Sequence, residues 1–145
     1  MFLRRRSDKV DVLKKVPLLN GLSRRHLELV ARHADEVKVA ARTVLARQGG
    51  LGREFLLLLD GSVRVERDGK EIARLGPGEF FGEMSLIDQK PRSATVTAQT
   101  PLVLLVVGTR SFSYLLEGVP ALQKKILLTL CDRLRAADAA LASVN

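Results

Sequence analysis

The sequence predicts an α+β protein that is mainly β, a small antiparallel barrel or sandwich with helices at both ends. Three observations carry this expectation. The hydrophobic period changes from helical to strand-like near Asp35 and returns to helical after Gly108. Between those points Gly49-Gly50, Asp60-Gly61, Asp68-Gly69 and Gly76-Pro77-Gly78 divide the chain into strand-sized runs, roughly 8–12 residues apart. The length, 145 residues, suits one hydrophobic core, so residues 1–145 are expected to form a single domain.

Residues 1–35 read as helical. Asp8 is placed to cap a short helix carrying Val10, Val12, Leu13 and Val16, which stops at Pro17. Ser23 is placed to cap a second, in which Leu27, Val30, Ala31 and Ala34 repeat at helical spacing. Residues 36–108 hold the β-type runs: Val37 and Val39, Val44, residues 55–59, Val63 and Val65, Ile72, Val96, and residues 102–107. Asp68-Gly69 lies between two such runs and signals a hairpin, because both positions of a tight primed turn need positive φ. In residues 109–145, Thr109 or Ser111 can cap a short helix ending near Gly118. Pro120 then opens a longer helix to about Leu141, with Leu122, Ile126, Thr129, Leu130, Arg133, Leu134 and Ala137 on one mostly apolar stripe.

Composition narrows the function classes. No apolar run approaches the ~18 residues of a membrane helix, and nothing behind Arg4-Arg5-Arg6 resembles a signal peptide. Cys131 is the only cysteine, so no internal disulfide can form and a cytoplasmic location fits; its helical context predicts a buried thiol. A net charge of +8 favours polyanions in general. Aromatics are only 4% of the chain and do not interleave with basic residues, which argues against a single-strand nucleic-acid binder. His26 and His33 stand seven apart without cysteine or carboxylate company at ligand spacing, so no metal site is expected. Asp132, Arg133 and Arg135 read as a solvated helix face. No nucleophile–base pair or metal cluster stands out, and an enzyme is not expected.

The chemistry concentrates in residues 80–96, FFGEMSLIDQKPRSATV. Gly82 lets backbone approach a ligand closely, and a helical turn from Gly82 to Leu86 would point unpaired N–H groups at an anion. Pro91 stiffens the approach to Arg92, whose planar fork suits two phosphate oxygens. Glu83 is an acceptor-only carboxylate that repels phosphate, so its natural partner is a sugar hydroxyl. An acid for ribose beside an arginine for phosphate describes a nucleotide site. The plain alternative is a surface ion pair between Glu83 and Arg92.

The run 81–96 resembles the phosphate-binding cassette of cyclic nucleotide-binding domains, found in catabolite activators, protein kinase A regulatory subunits and cyclic nucleotide-gated channels. That pattern is Phe-Gly-Glu, an aliphatic, a small residue, Leu, a short insert, Pro-Arg, a small residue, Ala and often Thr-Val. All of it stands here, with nine residues from Glu83 to Arg92. Asp60-Gly61-Ser62-Val63-Arg64-Val65 and Leu75-Gly76-Pro77-Gly78-Glu79-Phe80 extend the likeness outward, so the chain looks like a standalone bacterial-type member.

The resemblance implies an eight-stranded antiparallel β-roll, jelly-roll-like, flanked by N-terminal helices and a long C-terminal helix. It implies that Glu83 takes the ribose 2′-hydroxyl and Arg92 the cyclic phosphate, with Gly82, Ser85 and Ser93 completing the cradle. Val65, Ile72 and Phe81 would line base and sugar, and Thr129, Arg133 or Leu134 of the last helix would reach the base. Ser93 after the phosphate arginine favours cAMP over cGMP as ligand. The expected function is a regulatory sensor that signals through movement of its last helix to an effector the sequence does not identify. A homodimer through that helix is a further expectation. Alternatives are a cyclic-nucleotide-responsive transcription regulator without its DNA-binding domain, and an interaction subunit whose cassette has lost ligand affinity. Because the chain stops at Asn145 with no room for a recognition helix, nucleic acid is not an expected partner.

Overall fold

The computed structural model describes residues 6–144, and the start of the Arg4-Arg5-Arg6 cluster lies outside them. Helix α1 (Arg6–Lys14) begins two residues before Asp8, so Asp8 sits in its first turn and is not its cap. A 3-10 turn, Pro17–Leu19, follows, using proline where its missing N–H costs nothing. Helix α2 (Arg24–His33) is capped as expected: the Ser23 hydroxyl accepts from the His26 N–H at 3.2 Å. Leu27, Val30, Ala31 and Ala34 are all buried.

The strands are β1 (Asp35–Val39), β2 (Val44–Ala46), β3 (Glu54–Asp60), β4 (Val63–Arg67), β5 (Lys70–Leu75), β6 (Phe80–Phe81), β7 (Thr95–Ala98) and β8 (Leu102–Gly108). They form two four-stranded sheets with antiparallel pairing, ordered β1-β8-β3-β6 and β2-β7-β4-β5. Asp68 and Gly69 take φ of 53° and 78° in the β4–β5 hairpin, the left-handed pair its turn requires.

The unbroken apolar runs of β3 and β8 follow from burial on both faces. Phe55, Leu57, Leu105 and Val107 pack with the helices, while Leu56, Leu58, Leu102 and Leu104 face Val63, Val96 and Ala98 of the second sheet. The first sheet is thus the middle layer between helices and roll interior. Phe80 and Phe81 divide the same way, one to each cluster.

After β6 comes the short helix α3 (Glu83–Asp88), and after β8 come α4 (Thr109–Gly118) and α5 (Pro120–Val144). Neither Thr109 nor Ser111 caps α4; the cap position belongs to Gly108. Both hydroxyls are engaged elsewhere, Thr109 donating to the Arg53 carbonyl at 3.0 Å and Ser111 lying 3.3 Å from His33 Nδ1. Helix α5 is pinned near its start by buried Leu122 and Ile126, and by Lys125 Nζ, which donates to the carbonyls of Pro17 (3.3 Å) and Asn20. Its expected stripe stays inward only as far as Leu130 and Arg133; Leu134 is 63% exposed. Cys131 is exposed, correcting the expectation of a buried thiol, because it shares the outward face with Leu127 and Leu134. Among the described residues no helix is long and apolar enough to cross a membrane.

Candidate functional site

Gly82 ends β6 in the left-handed region, φ 95°, and α3 closes at Gln89, also left-handed at φ 59°. Glycine is required at position 82 for space as well. A Cβ there would lie 2.5 Å from Arg92 Nη1 and 2.5 Å from the Glu54 carbonyl oxygen. Gly52, in the β2–β3 loop, is equally constrained, since its Cβ would meet Ser85 Cβ at 2.4 Å and Arg92 Nε at 2.8 Å. The Arg92 guanidinium is threaded between two glycines.

Its backbone is fixed from the same loop. Arg92 N–H donates to the Gly50 carbonyl and Gly49 N–H donates to the Arg92 carbonyl, both at 2.8 Å. Nη2 donates to the Glu54 carbonyl at 2.9 Å, whereas Nη1 is buried without a hydrogen-bond partner. Burial pulls the guanidinium below its ordinary pKa, against the opposing pull of Glu54 and Glu83. The next residue, Ser93, is exposed, and its carbonyl accepts from Arg67 Nε at 3.1 Å.

Glu83 is 2% exposed and Ser85 is also buried; they are the buried polar residues among those described. The Glu83 partner is Arg133, which donates from Nη1 to Oε1 at 3.0 Å. The surface ion pair with Arg92 is therefore not what forms. Oε2 of Glu83 is buried without a partner. Burial raises the Glu83 pKa above the usual carboxylate range, opposed by its own backbone N–H, then by Arg133 and Arg92.

Of the other expected contacts, Phe81 is buried in the roll interior and Val65 packs against the same cluster. Ile72 is displaced from that group: it sits at a bulge in the edge strand β5 and is 50% exposed. On α5, Thr129 turns back to the Lys125 carbonyl at 3.1 Å and Leu134 points to solvent, so Arg133 alone of the three reaches the segment. Arg133 also corrects the reading of residues 132–135 as a solvated face. Gly52, the Glu54 carbonyl and the Glu83–Arg133 pair went unread; the spacing of glycines at 49, 50 and 52 was the one signal, and it marks a turn equally well.

One segment therefore presents a half-buried cationic donor and a buried anionic acceptor, each with one buried atom left unsatisfied. Such atoms cost free energy unless something completes them.

Comparison with known proteins points to one family. The family model described as the cyclic nucleotide-binding domain matches residues 36–118. The chain is 35% identical over 107 residues to a cAMP-dependent protein kinase regulatory subunit of Schizosaccharomyces pombe, covering 73% of this chain and 26% of that protein. It is 34% identical over 131 residues to the cyclic AMP receptor protein of Thermus thermophilus, covering 87% and 61%. The regulatory domain of Toxoplasma gondii PKA, co-crystallised with cAMP, superimposes with a TM-score of 0.75 at 27% identity, over 89% of this chain and 50% of that one. The chain thus spans about a quarter and three fifths of the lengths of these two curated relatives.

Proposed function

The chain belongs to the family of cyclic nucleotide-binding domains, and on that premise we propose that residues 1–145 form one regulatory sensor domain that reversibly binds cAMP. The observation that carries the reading is the pair of buried, unsatisfied atoms, Arg92 Nη1 and Glu83 Oε2, on the cassette segment. An anionic cyclic phosphate answers the first, and a ribose 2′-hydroxyl answers the second. Gly82, Ser85 and Ser93 complete the phosphate cradle, and Phe81 and Val65 supply apolar surface. Ile72 joins them by closing over the base from the edge strand. Ser93 beside Arg92 favours cAMP over cGMP, and the cAMP named with the Thermus and Toxoplasma proteins supports the same preference.

In this reading the ligand changes α5 through the cassette, to which Arg133 ties it. The shift in helix position is limited to the ligand's differential affinity for the two arrangements. A second copy of the chain is the proposed partner for the outward face of α5, where Leu127 and Leu134 stand seven apart and exposed. Light scattering is expected to give twice the monomer mass; a monomer at all concentrations removes this part.

Titration calorimetry with cAMP and cGMP tests the whole. Binding is expected, tighter for cAMP, and Arg92→Ala is expected to weaken it by well over tenfold, about 2–5 kcal/mol for an unpaired phosphate charge. Equal affinity in wild type and Arg92→Ala would refute the site.

A further inference from the structure

We infer that Arg67 is a base-reading residue: its guanidinium, anchored beside the cassette, donates to a ring nitrogen of adenine and sets base preference from the β-roll. This rests on the cyclic nucleotide reading proposed above, in which Val65 lies against base and sugar.

The placement follows from the strand. Along β4, Val63 is buried in the roll interior and Val65 packs against the same cluster. Arg67 is the next side chain on that face, about 7 Å farther along. Glu66 pairs with Thr95, which sets Arg67 against the approach to β7, where its Nε donates to the Ser93 carbonyl at 3.1 Å. Gly52, Gly82 and Ser85 crowd the Arg92 side chain and mark the phosphate end of the cassette. Arg67 stands at the opposite end, past Val65, where a base extends from its sugar.

The hairpin end that carries it is stapled. Gln48 Nε2 donates to Asp68 Oδ1 at 2.8 Å, and the Asp68 N–H donates back to Gln48 Oε1 at 2.9 Å. The Gln48 N–H donates to Thr95 Oγ1 at 3.0 Å. The β4–β5 hairpin is thereby joined to the loop that also holds the Arg92 backbone. A long side chain rooted and tethered in this way gives up less rotamer freedom when it takes a ligand.

Arg67 uses one of the guanidinium's five N–H donors on the Ser93 carbonyl. Among the described residues neither Nη has a partner. The acids on either side of it in sequence are engaged elsewhere, Glu66 with Arg64 and Asp68 with Gln48. A group that only donates requires an acceptor, and adenine offers unprotonated ring nitrogens at positions 1, 3 and 7. No candidate on α5 competes for the base: Thr129 turns back to Lys125, Arg133 is taken by Glu83, and Leu134 faces solvent.

The test is calorimetry with cAMP and its 1-deaza, 3-deaza and 7-deaza analogues, each of which replaces one ring nitrogen by C–H. Wild type, Arg67→Ala and Arg67→Lys are compared, with circular dichroism to confirm folding. Wild type is expected to bind one of the three analogues about tenfold or more weakly than cAMP, the range for a hydrogen bond from a charged donor. In Arg67→Ala, cAMP is expected to weaken by about tenfold, and the penalty for that same analogue to fall below about threefold, the signature of a coupled pair. Arg67→Lys keeps a charged donor without the planar fork and is expected to fall between the two. Wild type binding all three analogues as it binds cAMP would overturn the inference. So would Arg67→Ala weakening every nucleotide alike and keeping the penalty, the mark of a role confined to holding the Ser93 carbonyl. Absence of cAMP binding in wild type would overturn the nucleotide site itself, and this inference with it.

Discussion

The roll interior and the cassette segment touch each other and are built on opposite terms. Around Leu58, Val63 and Leu104 every buried side chain is apolar, and each is nearly or wholly removed from water. The cassette beside it holds buried Glu83 and Ser85, two left-handed backbone positions and two unsatisfied buried atoms. The first arrangement lowers the free energy of the folded chain; the second raises it and is held in place by the first. Local instability at a ligand site is tolerable only on a scaffold that over-determines it.

The largest effect that probes this contrast is in the scaffold. Leu58 is fully buried, so Leu58→Ala is expected to cost about 3–5 kcal/mol of stability in urea denaturation. A loss under about 1 kcal/mol would mean the interior relaxes and does not brace the cassette.

Next is Gly82→Ala. The added Cβ meets Arg92 Nη1 and the Glu54 carbonyl, and the backbone must keep a positive φ, so about 1–3 kcal/mol of stability should be lost. Cyclic nucleotide affinity is expected to fall about tenfold as the guanidinium is pushed aside, a loss of near 1.4 kcal/mol. Calorimetry on the folded variant reads this directly, and wild-type affinity would place the critical contact elsewhere.

The smallest effect has the opposite sign. Because burial raises the Glu83 pKa, the folded state binds more protons than the unfolded state between the ordinary carboxylate value and the raised one. Stability therefore falls as pH rises through that window. Glu83→Gln removes the cost of the buried charge and keeps an acceptor for Arg133. Its melting temperature without ligand is expected to exceed wild type at neutral pH, by about 2–4 °C, with the gain vanishing in acid. A lower melting temperature at neutral pH would show that the Arg133 pair more than repays the desolvation.

These differences also explain what could be read from the chain alone. The Ser23 cap, the Asp68-Gly69 hairpin and the run 80–96 are written in adjacent residues, where φ requirements and short-range hydrogen bonds act. Arg133 is fifty residues from Glu83, and nothing local distinguishes it from its exposed neighbours Asp132 and Arg135. The same limit applies to Cys131 and Leu134: a helical period reveals faces but not the point at which one face leaves the body. Ile72 stands apart from the roll interior for a different reason, since a bulge in β5 shifts the alternation of an edge strand by one residue.

The tie between Lys125 and the turn at residues 17–20 gives α5 a mechanical character. In the transmission proposed above, that tie is the fulcrum. At 1.5 Å per residue, Arg133 sits about 12 Å along the arm and Val144 about 28 Å along it. A displacement of about 2 Å at the Glu83 contact becomes about 5 Å at the far end of a rigid arm, a movement of about one helical turn in pitch. The leverage needs no change inside the roll.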